Sequence, residues 1–90
     1  MGDQTLPPPA AIGTLDAYRE FIAETMAGAG VHANLGVTYA DIRDDAGLEY
    51  AIRCLVACAR TALSTLSDLK AMKAEQTSRR AAMREPADAL

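Results

Sequence analysis

Apolar residues recur three and four positions apart through two long stretches of this chain, and a polar break separates them. In the first stretch the recurring positions are Leu15, Tyr18, Ile22, Ala29, Leu35, Tyr39 and Ile42, with Phe21 and Met26 widening the stripe. That spacing matches the helical repeat of 3.6 residues and predicts an amphipathic helix. Thr14 is a suitable N-cap, and Asp16 falls in the first turn, where a carboxylate suits the positive end of the helix dipole. Gly28 and Gly30 interrupt the stripe, and each costs about 1 kcal/mol relative to Ala inside a helix. Two outcomes follow: one helix from 14 to about 43 with a soft point at the glycines, or a break and a restart at Thr38, where Thr38-Tyr39-Ala40-Asp41 resembles a capping box. The spacing keeps phase across Gly28–Gly30, which favours continuity.

Arg43-Asp44-Asp45-Ala46-Gly47 reads as the turn, with Asp44 or Asp45 able to cap the helix that follows. The second stretch carries the clearest pattern. Leu48, Ile52, Leu55, Ala59, Ala62, Leu66 and Leu69 alternate spacings of four and three, which is a heptad seam. Val56 and Leu63 flank one side of it; Ala51, Cys58 and Met72 flank the other. Beyond Leu69 the chain turns polar but keeps good helix formers until Pro86, where the helix is expected to end. The organisation expected is a disordered Pro-rich leader at 1–13, a helical hairpin domain at 14–75 and a charged helical extension or tail at 76–90. Pro7-Pro8-Pro9 fixes a short polyproline II stretch. It stops the first helix from extending, or less simply offers a docking peptide to an aromatic groove.

The fold class expected is therefore all-α: an antiparallel helical hairpin that dimerises into a four-helix bundle. Composition supplies the reason for dimerisation. Half of the 90 residues are apolar, but there are only three Tyr, one Phe and no Trp, and Ala dominates. A helix of about thirty residues is about 45 Å long, and two of them cover only one stripe on each other. A buried Leu or Ile returns about 1.5–3 kcal/mol against about 1.5 kcal/mol of conformational entropy per ordered residue. A lone hairpin with so few large side chains is a poor bargain, and pairing two copies about a two-fold axis closes the core. Ala29, Ala33, Gly36 and Ala40 form a ridge of small residues that a facing helix can approach closely. The residues expected at a protein interface are Tyr18, Ile22, Leu35, Tyr39, Ile42, Ile52, Leu55, Val56, Leu63 and Leu66.

Charge excludes one class of partner. The chain carries a net charge of −3, with acids crowding its first half and Lys70, Lys73, Arg79, Arg80 and Arg84 its last part. No basic stripe interleaves with aromatics, so direct nucleic-acid binding is not expected. The longest apolar run, Cys54–Ala59, is too short for a bilayer, and the start of the chain lacks a signal-peptide pattern, so a cytoplasmic protein with reduced cysteines is expected.

Candidate chemistry is sparse. Cys54 and Cys58 lie one helical turn apart, and with His32, the only histidine, would supply three zinc ligands. The spacing is looser than the usual zinc pair and a fourth ligand is missing, so small core cysteines and a core or interface histidine are the expected reading. A disulfide between the two is disfavoured by geometry. Nothing orients His32 for a cysteine–histidine dyad. Asp41, Asp44, Asp45 and Glu49 fail the EF-hand spacing and read as a solvated, capping turn. No catalytic set, cofactor or metal site is expected, and the chain reads as a protein-binding protein, not an enzyme.

Tyr18-Arg19-Glu20-Phe21-Ile22-Ala23-Glu24-Thr25-Met26, the turn near Arg43–Gly47, and Leu48-Glu49-Tyr50-Ala51-Ile52-Arg53-Cys54-Leu55 leading into Ala59–Leu66 resemble a group of short Pseudomonas helical-hairpin proteins. The chain is also similar to the small quorum-sensing anti-activator of that genus. That resemblance implies an inhibitor that binds the ligand-binding domain of a LuxR-type transcription factor and prevents its dimerisation. It is a likeness of pattern and length over roughly sixty residues, and it transfers no individual functional residue. Two other roles suit the same physics: a phage-type anti-defence or host-interaction protein, and a structural or assembly adaptor.

Overall fold

The computed structural model describes residues 14–88, so the Pro-rich leader at 1–13 lies outside the described residues. Two helices make up the described chain: α1, Leu15–Asp41, and α2, Asp45–Asp88, packed against each other as an antiparallel hairpin. Helix α1 begins where a side chain replaces the missing carbonyl partner: the Ala17 amide donates to Thr14 Oγ1 at 3.0 Å. It is continuous through Gly28 and Gly30. The alternative restart at Thr38 does not occur; the Thr38 hydroxyl instead donates back to the Asn34 carbonyl at 3.3 Å, inside the helix.

The turn is tighter than the one expected at Arg43–Gly47. Ile42 is the C-cap of α1, and Arg43 takes the left-handed conformation with φ 61°. The Arg43 amide donates to the Ala40 carbonyl at 3.1 Å and the Asp44 amide to the Tyr39 carbonyl at 2.9 Å, closing a Schellman motif. Asp44 then caps α2, its Oδ1 accepting from the Gly47 amide at 3.0 Å. Gly47 is thus already in the first turn of α2. Its role is steric: a Cβ there would lie 2.5 Å from the Tyr39 ring, which closes over the backbone.

Close approach continues along the hairpin. A Cβ on Gly36 would be 3.7 Å from Ala51 Cβ, and one on Gly28 would be 3.8 Å from Cys58 Sγ. Extending this ladder brings the start of α1 beside Met72. About the last sixteen residues of α2, roughly 24 Å at 1.5 Å per residue, therefore run on without α1 beside them. Pro86 does not end α2, which continues two residues further to Asp88; so near the end of the helix the amide hydrogen bond that a proline forfeits belongs to the last turn alone.

The expected seam on α2 is half displaced. The positions turned toward α1 are Leu48, Ala51, Leu55, Cys58, Ala62, Thr65, Leu69 and Met72, which are all buried or half-buried. They too alternate spacings of three and four. Leu48, Leu55, Ala62 and Leu69 belong to both series, but Ile52, Ala59 and Leu66 give way to their neighbours Ala51, Cys58 and Thr65. Helices held this close accept small side chains between them and exclude large ones. On α1 the matching series is Tyr18, Ile22, Thr25, Ala29, His32, Gly36 and Tyr39.

Candidate protein-interaction faces

The core of the hairpin is small. Its buried residues are Ala17, Ala29, Ala51, Ala62 and Leu69, and no large side chain is fully buried among the described residues. Four alanines and one leucine withdraw little apolar area from water. The larger side chains lie outside the seam. Ten residues were expected at an interface, and the structure separates them into two sets. Tyr18, Ile22, Tyr39 and Leu55 are half-buried between the two helices of the hairpin; Leu35, Ile42, Ile52, Val56, Leu63 and Leu66 are exposed.

A two-helix layer has two broad faces, and helical geometry assigns the exposed residues to them, since each residue turns the helix by about 100°. On the first face, Ile52, Val56, Ala59, Leu63 and Leu66 form a second heptad stripe, about a quarter turn from the buried one. Val56 is 41% exposed, Leu63 68% and Leu66 38%. The stripe continues across the hairpin into a shallow apolar groove whose walls include Ala33, Val37 and Ala40 of α1 and Ile52 of α2. Ala33 and Ala40 of the small-residue ridge are thus exposed here, whereas Ala29 and Gly36 serve the contact between α1 and α2. His32 helps to line this groove, and its Nδ1 is buried without a hydrogen-bond partner.

The opposite face is chemically mixed. Its α1 side presents Val31, Leu35 and Ile42, which are 57%, 40% and 65% exposed. Its α2 side presents Tyr50, Cys54, Ala57 and Thr61, and a groove runs between Phe21 and Gly28 on one wall and Ala57, Cys58 and Thr61 on the other. The Tyr50 phenol is held above its usual pKa, first by side-chain hydrogen bonding with Cys54 and then by repulsion from the charge that the Cys54 sulfur carries as a thiolate. Tyr50 is 61% exposed and offers a hydroxyl on an apolar ring, a combination suited to a protein surface.

Cys54 and Cys58 are free thiols, both half-buried. Among the described residues, no three His, Cys, Asp or Glu side chains gather where one metal ion could be held. Ion pairs link Arg19 to Asp16, Arg53 to Glu49 and Arg79 to Glu75 along single helix faces. All are exposed, so each adds a few tenths of a kcal/mol to its own helix. No helix of the described chain is long and apolar enough to cross a membrane.

Periodicity found the large apolar residues but not the face each one occupies. The signal that separates them is the second heptad, 52-56-59-63-66, interleaved with the first. Two heptads on one helix imply two neighbours. Comparison with known protein families, with curated proteins and with solved structures returned no match for this chain.

Proposed function

We propose that this protein is a non-catalytic, protein-binding regulator that pairs with a second copy of itself and inhibits a partner by occupying a surface the partner needs. The observation that carries this reading is the inverted distribution of apolar side chains. Alanines fill the seam, while Val31, Leu35, Ile42, Ile52, Val56 and Leu63 face outward. Scattered exposed apolar residues need no explanation, but a heptad stripe on one face and a second group on the other are organised. One face closes a four-helix core with a second copy; the other takes a helix or groove of the partner.

The resemblance stated above supplies the named target, a LuxR-type transcription factor whose dimer face the hairpin would occupy. The direct test is co-expression with such a receptor, followed by affinity capture and a DNA-binding assay. Co-purification with loss of receptor dimers and of DNA binding supports the reading. A receptor that stays dimeric and DNA-bound in the presence of excess hairpin ends it for that target.

A further inference from the structure

The heptad stripe on α2 and the distribution of charge along the hairpin together specify how a second copy would lie. One column of the stripe is Glu49, Val56, Leu63 and Lys70, seven residues apart; the other is Ile52, Ala59, Leu66 and Lys73. All except the flanking charged residues are apolar, and all are exposed. In an antiparallel pair of helices, the residues of one column pack against those of the other column in the partner. One register satisfies every layer at once. Val56 meets Leu66, Leu63 meets Ala59 with large set against small, Ile52 lies along the aliphatic stem of Lys70, and Glu49 meets Lys73. A shift of one heptad in one direction sets Glu49 against Leu66, so that the carboxylate, already paired with Arg53 on its own helix, gains an apolar neighbour where the first register gives it a second cation.

Charge selects the same direction. The turn end of the hairpin carries Asp41, Asp44, Asp45 and Glu49 against Arg43. The overhanging part of α2 carries Lys73, Arg79, Arg80 and Arg84 against Glu75, Glu85 and Asp88, the last two acids at its far end, with Lys70 just before it. Those from Asp41 to Arg84 are all exposed, and Lys70, Lys73 and Arg80 make no ion pair within the described residues. A parallel pairing would bring two acidic turns together; the antiparallel one lays the first two turns of each overhang, from Lys73 to Arg80, along the other copy's acidic turn.

We infer that a second copy of this chain covers the 52-56-59-63-66 stripe in antiparallel register, α2 against α2, with the basic first turns of each overhang along the acidic turn of the other copy. This rests on the self-pairing proposed above and adds its face, direction and register. Arg60 stands against the arrangement: it flanks the stripe beside the axis and comes near its own copy. Its exposed side chain can turn to solvent, and Arg60→Gln should tighten the pair.

Disulfide trapping tests the arrangement in the full chain. In a Cys54→Ala, Cys58→Ala background, Glu49→Cys and Lys73→Cys are prepared separately, checked for unchanged helicity, and oxidised with diamide alone and mixed. A covalent dimer that forms in the mixture and not in either variant alone supports the register. Self-linkage of Glu49→Cys, or no linkage while sedimentation still shows a dimer, overturns the antiparallel arrangement and leaves the self-pairing intact. A folded monomer in sedimentation overturns both. Charge exchange in the chain with its native cysteines gives a second readout: Glu49→Lys should weaken the dimer about tenfold, and adding Lys73→Glu should restore it. A double variant no tighter than the single one counts against the Glu49–Lys73 layer.

Discussion

Replacing Leu63 with Glu separates a solitary hairpin from a paired one. In the single hairpin, Leu63 is 68% exposed. A substitution at so exposed a position shifts stability by about 0.5 kcal/mol or less. If the stripe is covered by a second copy, the same change removes a leucine worth about 1.5–3 kcal/mol of burial and leaves a carboxylate on an apolar surface. The two-fold axis repeats the loss, so the dimer is weakened by about 3–6 kcal/mol, a factor of about a hundred to twenty thousand in dissociation constant. Sedimentation equilibrium across a concentration series reads this directly, and thermal melts at several concentrations read it independently, because the melting temperature of a dimer depends on concentration. Met83→Glu is the control: Met83 is 81% exposed on the overhang, beyond the paired stripe. If Leu63→Glu changes mass and melting no more than Met83→Glu does, no second copy covers the stripe.

Three further outcomes follow from local geometry. Gly47→Ala should destabilise the hairpin by about 1–3 kcal/mol despite the better helix propensity of Ala, because the new Cβ meets the body of the Tyr39 ring; Gly30→Ala, with nothing within 4 Å, should instead stabilise it by about 1 kcal/mol, and chemical denaturation measures both. Arg43→Gly should add about 1 kcal/mol in the same assay, since it relieves a left-handed residue with φ 61° at the Schellman turn. Leu35→Asp, on the face opposite the stripe, should leave the sedimentation of the protein unchanged and abolish capture of its partner; loss of the dimer instead would reverse the assignment of the two faces.

Much of the fold was legible in the sequence. The two helices follow from the three-four spacing, the first boundary from Thr14, and the second from the Asp44–Asp45 pair, of which Asp44 makes the capping bond. Continuity through Gly28 and Gly30 was legible from phase alone. The seam was legible only in part, because Ala51, Cys58 and Thr65 carry a weak hydrophobic signal, while their neighbours Ile52 and Leu66 carry a strong one. Periodicity weights large side chains, whereas two close-packed helices select small ones. The same effect hid the division of the interface residues: Leu55 and Val56 are adjacent and equally apolar, yet one is half-buried in the hairpin and the other is exposed. Gly47 was read as a turn residue because glycine usually marks one; its reason is the Tyr39 ring above it, a contact that no local pattern encodes.

The central claim is that one copy of this chain cannot shelter its own apolar surface. Sedimentation of the unmodified protein from nanomolar to micromolar concentration tests it most directly. A species of twice the 9.5 kDa chain mass is expected, with helicity lost as dilution separates the copies. A cooperatively folded species of single-chain mass throughout that range contradicts it.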